Sequence, residues 1–116
     1  MFELSNKKID ELDGIVMRVD EFGGTKDRHA YSFAMEFLYD NDLIIDFDWS
    51  KWNEGREFFK KSGDEKYATV DREFALKLLT AIARNDRFND GAWYFFFESG
   101  EALKLLKRLR ETYRAG

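Results

Sequence analysis

A few groups of residues have the types and spacing to do chemistry. His29 is the chain's one histidine, so any Ser-His-Asp relay must use it. It falls in the first turn of an apolar helical pattern, with no nucleophile-elbow sequence nearby, and it reads as a structural or surface histidine. Gly23-Gly24-Thr25-Lys26 resembles the tail of a phosphate-binding loop. The earlier glycine at the required spacing and the preceding buried strand are missing, so it reads as an interhelical turn. Asp46 and Asp48, with Asp40 and Asp42 nearby, are hard oxygen donors of the kind that ligate Mg²⁺ or Ca²⁺. The Ca²⁺-loop pattern of alternating ligands, central Gly and closing Glu is absent; on an extended segment the first two share one face, and capping the following helix or pairing with arginine is the preferred reading. Arg84, Asp86, Arg87 and Asp90 place two guanidiniums within four residues at a helix end, an arrangement that can clamp a carboxylate or phosphate bidentately. The preferred reading is an internal ion-pair and capping network: Asp86 caps the next helix, Phe88 plugs the core and Gly91 permits close packing.

These side chains need a scaffold, and composition bounds it. At 116 residues the chain is one domain's worth. It holds 12 Phe, 5 Tyr and 3 Trp but no Cys and no Pro, so packing of large aromatic surfaces must hold the fold without a covalent staple. Without cysteine there is no disulfide framework, thiolate zinc site, iron–sulfur cluster or thiol nucleophile, which fits a reducing cytoplasm. Residues 1–10 already carry Glu3, Lys7 and Lys8 and do not read as a signal peptide. No stretch approaches the roughly 18 apolar residues of a membrane span. The net charge of −4 is unevenly spread. Residues 1–54 hold 13 acids and 6 bases, whereas residues 55–116 hold 10 acids and 13 bases. An acidic face and a basic face follow, available to partners or to each other.

Periodicity then assigns the elements. Ser5–Glu21 reads as an amphipathic helix with Ser5 or Asn6 as its cap, Ile9, Leu12, Ile15, Val16, Val19 and Phe22 on the apolar face and Gly23-Gly24 as its stop. Lys26–Asp40 is a second helix, apolar almost all round, and should lie near the centre of the domain. Leu43–Trp49 partly alternates, which leaves a short strand open. The preferred reading is an extended lead into a helix from Ser50 to about Lys61, capped by Ser50, with Trp49, Trp52 and Phe59 facing inward. Ser62–Lys66 is an exposed loop. Thr69 caps a clear helix to Arg84, with Asp71 and Glu73 at its positive end. Asn85–Asp90 is a polar break. Gly91–Glu98, nearly all aromatic, reads as a buried helix because helices flank it and no strand partner is evident. Glu101–Arg114 closes the chain with a leucine stripe and a basic face. The fold class is all-α: a single bundle of five to six helices over residues 1–116 with an aromatic-rich core.

Phe47-Asp48-Trp49, Trp52, Leu78-Leu79-Thr80, Arg84, Asp86-Arg87-Phe88, Gly91 and the closing leucine-rich helix form a recurring combination. It resembles a small uncharacterised family of bacterial and phage proteins, a domain of unknown function, over roughly Leu43–Leu109. The resemblance implies a helical, cytoplasmic or phage-encoded protein and supplies no activity.

The expected function is that of a non-enzymatic interaction protein, in the manner of a phage or prophage accessory factor that modulates or inhibits a host defence protein. It has no catalytic residue, metal or cofactor, and it binds a protein partner through Asp46, Asp48, Trp49, Trp52, Arg84, Asp86 and Arg87. Two further readings stand beside it. One is nucleic-acid binding by Arg84, Arg87 and the basic C-terminal helix; the other is a small metal-dependent hydrolase built on Asp46 and Asp48. Most of the aromatic surplus is assigned to the core, and any contiguous aromatic patch that reaches the surface would mark an interface.

Overall fold

The structure, a computed structural model, describes residues 2–21, 28–86 and 91–115. Ser5 opens the first helix: its hydroxyl accepts the Lys8 N–H at 3.3 Å, satisfying one of the donors a helix start leaves unpaired. Helix α1 (Asn6–Glu21) buries Leu12, Val16 and Val19. Helix α2 (Arg28–Asp40) packs against α1. A 3-10 turn at Trp49–Lys51 leads into α3 (Asn53–Lys60). A second 3-10 turn, Glu65–Thr69, precedes α4 (Arg72–Asp86), followed by α5 (Ala92–Glu98) and α6 (Glu101–Ala115). Among the described residues there are no strands, and the radius of gyration is 13.2 Å.

The expected helical bundle is therefore the observed one, with α6 as its hub, touching α1, α4 and α5. Helices α4 and α6 carry the broadest buried faces: Leu76, Leu78, Leu79 and Ile82 on one, Leu105, Leu106 and Leu109 on the other. That takes the centre from α2, which packs on α1 and α5 and leaves Phe33 42% and Tyr39 38% exposed. A mostly apolar helix was expected at the middle; its ring-bearing outer face instead meets solvent.

Leu43–Trp49 pairs with a side chain rather than a strand. The Ile45 N–H donates to Thr80 Oγ1 at 3.1 Å, and Thr80 is wholly buried on α4 beside Leu78 and Leu79. That buried hydroxyl satisfies one N–H in the middle of the segment, and the Leu43 and Trp49 N–H groups donate to the Leu38 and Phe47 carbonyls. The next helix starts later than expected. Ser50 does not cap it; the Ser50 hydroxyl donates to Asp48 Oδ1 at 2.9 Å within the preceding turn. Phe58 is the buried aromatic of α3, while Trp49, Trp52 and Phe59 are half-buried. Nor does Thr69 cap α4: it bonds back to the Lys66 carbonyl, and Asp71 Oδ1 accepts the Phe74 N–H at 2.8 Å.

The expected exposed loop at Ser62–Lys66 ends in a buried cation. The Lys66 side chain is 5% exposed and pairs with Glu101 Oε1 at 3.0 Å. It also donates to the Phe58 and Lys61 carbonyls, closing the C-terminal end of α3. The Tyr67 hydroxyl donates to the other Glu101 oxygen.

Opposed charges of the two halves meet where α6 packs on α1. From α6, Arg110 and Arg114 both reach Asp13 of α1, and Lys107 reaches Asp20 at 3.1 Å. Lys104 pairs with Asp64, and Arg108 donates to the Val70 and Ala68 carbonyls and to Glu111. Arg72 lies 4.0 Å over the Tyr113 ring and donates to the Thr112 carbonyl, tying α4 to the end of α6.

Burial, helped by the hydrogen bond to Glu101 and the charges of Glu101 and Asp64, pushes the Tyr67 hydroxyl well above its ordinary value of 10.0. The native state thus keeps a proton that the unfolded chain releases. The stability this contributes is complete below about pH 10 and falls as pH rises beyond it. Urea midpoints taken from about pH 9 to pH 11 should decline for the wild type and decline less for Tyr67→Phe; equal slopes would remove Tyr67 as the cause.

Candidate functional site

Helix geometry sends the aromatic run of α5 in different directions, because successive residues are rotated by about 100°. Trp93 and Phe97, four apart, turn inward onto Tyr31 of α2. Tyr94 is half-buried against the same ring. Phe95 projects outward, 64% exposed. Phe96 leans the other way and meets Phe59 of α3 at 5.1 Å between ring centres. Phe95 and Phe96 stand edge to face at 5.7 Å, so an aromatic strip runs from the surface down to α3.

That strip ends in a groove between α3 and α4. Trp49, Trp52, Phe59, Ile82 and Phe96 form its apolar walls, and the space enclosed is about 250 Å³. Ser50, Arg56, Gly55, Ala81 and Asn85 complete the lining. From the N-cap of α3 onward, the lining residues Trp52, Gly55, Arg56 and Phe59 follow the i, i+3, i+4, i+7 spacing of one helical face.

Trp52 is held in place from three sides. Phe47 meets its indole edge-on at 5.2 Å and Phe74 at 5.4 Å, geometries favoured by the ring quadrupole. Beneath the ring lies Gly55, where a Cβ would stand 2.5 Å from the indole Cε3 and 2.6 Å from Cζ3. The glycine is what lets the indole lie against the α3 backbone. Ala in place of Gly normally stabilises a helix interior by up to about 1 kcal/mol. Here Gly55→Ala should destabilise by about 1–3 kcal/mol through overpacking and shift the tryptophan emission as Trp52 is displaced. Chemical denaturation followed by fluorescence checks both, and a stabilised variant would show that the indole can move freely.

The residues singled out in the sequence are divided by the fold. Trp49 and Trp52 come together in the groove. Asp48 sits at its edge, engaged by Ser50, and Asp46 is exposed on the lead-in segment. Among the described residues no three His, Asp or Glu side chains converge as a metal site would require. Arg84 is half-buried on α4, three residues past the groove-lining Ala81. Asp86 faces away from the groove: its Oδ1 accepts the Trp93 N–H at 3.1 Å, capping α5 as one of the two readings expected. Gly91, at φ +91°, precedes that helix in a left-handed conformation that favours glycine. Arg87, Phe88 and Asp90, like Gly23-Gly24-Thr25-Lys26, lie outside the described residues, and His29 is exposed on the first turn of α2.

Gly55, Arg56, Phe59, Ala81, Asn85 and Phe96 were not among the site residues read from the sequence. The legible signal was a glycine three residues after a tryptophan inside a helical pattern, which asks what approaches the backbone there. Arg56 donates from Nη2 to the Ser50 carbonyl at 2.6 Å, which fixes the guanidinium at the groove mouth.

Among the described residues no helix is long and apolar enough to cross a membrane. No curated protein and no solved structure matches the chain. Its likeness to an uncharacterised family extends well beyond the Leu43–Leu109 stretch: residues 16–115 match the family described as "Family of unknown function (DUF6508)", and the chain belongs to that family.

Proposed function

We propose that this protein is a non-enzymatic, cytoplasmic protein-binding module and that the groove between α3 and α4, with the aromatic strip leading to it, is its docking surface. The observation that carries this reading is the continuity of the aromatics: exposed Phe95, then Phe96 and Phe59, then the walls around Trp52. Aromatic and arginine side chains dominate interface energetics, and half-buried rings open to solvent are the form an unoccupied anchor pocket takes. A space of about 250 Å³ lies below the roughly 300–1,000 Å³ of small-molecule sites and suits one or two side chains of a partner.

The basic face of α6 lends the nucleic-acid reading little support. Each of its five bases, Lys104, Lys107, Arg108, Arg110 and Arg114, is engaged by an acid of the fold. Phosphate contacts there would have to displace those pairs.

Photo-crosslinking tests the reading. A crosslinking amino acid at Phe95 should give one discrete protein adduct in extracts of the source cell, and Trp49→Ala in the same chain should abolish it. The same group at Glu73, on the exposed face of α4, should give none. Adducts equal at both positions, or unaffected by Trp49→Ala, would reject the groove as a docking surface. A phage or prophage factor acting on host defence is one version of this function, and the identity of the adduct decides it.

A further inference from the structure

The groove is apolar on its walls and cationic at its mouth. Arg56 is the one charged residue among the described lining residues. A single hydrogen bond to the Ser50 carbonyl engages one of the five N–H donors a guanidinium carries. Of the nearby acids, Asp48 accepts from Ser50 at 2.9 Å, and Glu54 and Glu57 line a separate hollow beside Phe58 and Phe74. On α4, Lys77 and Arg84 stand four residues before and three after Ala81, the spacing that puts side chains alongside one another on a helix. Lys77 is tethered over the Phe47 ring at 5.6 Å. A chain of net charge −4 thus places a guanidinium at an apolar slot whose described lining holds no acid.

From this charge complementarity we infer that the groove, read as a docking surface as above, selects a protein segment in which an apolar anchor side chain lies next to a carboxylate. The anchor enters between Trp52, Phe59 and Phe96, and the carboxylate is received by Arg56. Arginine suits this role better than lysine because its planar fork meets both carboxylate oxygens. Its fixed position also reduces the ordering cost on binding.

The test uses the intact chain and two short probes, N-acetyl-Phe-Asp-Leu-amide and its Asn counterpart, with the indole N–H resonances of Trp49 and Trp52 as readout. The acidic peptide should bind about tenfold more tightly, the difference expected of one charge-assisted hydrogen-bonded pair. That preference should shrink to within about twofold in Arg56→Gln, and likewise for the wild type in about 0.5 M salt. Arg56 is exposed, and the salt arm gives an answer even if the variant folds poorly. Equal affinities for the two peptides, with both shifting the indoles, would overturn the carboxylate selection and leave the docking groove standing. An acid preference that survives Arg56→Gln would overturn the role of Arg56. Probes that leave the indoles unmoved would overturn both readings. A short single-stranded oligonucleotide that shifts the same resonances at lower concentration would replace the peptide by a nucleic acid.

Discussion

Trp93→Ala is expected to lower stability by about 3–5 kcal/mol, the range for truncating a large core aromatic, and Tm by on the order of 10–20 °C. Trp93 is 1% exposed and makes three kinds of contact. Its ring meets Phe97 at 5.1 Å, and Phe97 in turn stacks on Tyr31 at 4.6 Å. Its indole N–H donates to the Tyr31 carbonyl at 2.7 Å. Its own backbone N–H is the one capped by Asp86. Truncation therefore opens a cavity where α2 meets α5 and frees the helix that presents Phe95 and Phe96. Trp93→Phe keeps most of the apolar contact and loses the indole donor, so it should cost about 1–2 kcal/mol. Denaturant titration of the two variants checks the order. Equal losses would mean that the hydrogen bond, not the packing, holds α2 to α5.

Lys66→Met is the second large effect, with an expected loss of about 3 kcal/mol, near the lower end for removing one partner of a buried ion pair. Methionine preserves the packing of the lysine stem. It abandons Glu101, which is 25% exposed and can recover some solvation, and it leaves the Phe58 and Lys61 carbonyls without the donor that closes α3. Because the two side chains act as a unit, Lys66→Met with Glu101→Leu should cost less than the sum of the single changes, with a coupling of about 1–3 kcal/mol. A loss under about 1 kcal/mol for either single variant would reduce the pair to an ordinary surface contact. The consequence reaches the groove as well: Phe59 belongs to the helical turn that Lys66 fastens, so loosening α3 loosens a groove wall.

These two sites show why some of the molecule was legible in the sequence and some was not. Repeats at three and four residues specified α1, α4 and α6, because leucine and valine stripes bury the same way in any helical bundle. The run Trp93–Phe97 read correctly as helix from its flanks and the lack of a strand partner, but not as wholly buried: Phe95 is 64% exposed, because a seven-residue helix at the edge buries one face only. Periodicity placed Phe59 inward, yet of these adjacent rings Phe58 faces the core and Phe59 the groove. It also overstated α2, whose nearly continuous apolar character concealed that its outer rings meet solvent. The polar residues that pin the fold were the least visible. Lys66 and Glu101 are 35 positions apart, Ile45 and Thr80 also 35, and Trp93 and Tyr31 62. No local pattern announces such pairings. Of the expected site, Trp49 and Trp52 converge in one groove because the short turn before α3 begins at one and ends at the other. Asp86 was drawn away by the unpaired N–H groups of α5, a demand that every helix start imposes.

The charge asymmetry followed the less dramatic of its two expected outcomes. Acids of the first half and bases of the second meet across the seam between α1 and α6, with Asp13 receiving both Arg110 and Arg114. Those bases are engaged by acids of the fold, whereas Arg56 faces solvent at the groove mouth.

Hydrogen exchange on the intact chain, with and without the protein captured through Phe95, tests the central claim most directly. The account predicts added protection in residues 49–59 and 92–98 and at the end of α4, with residues 104–114 of α6 unchanged. Protection confined to α6, or spread evenly over the molecule, would contradict it.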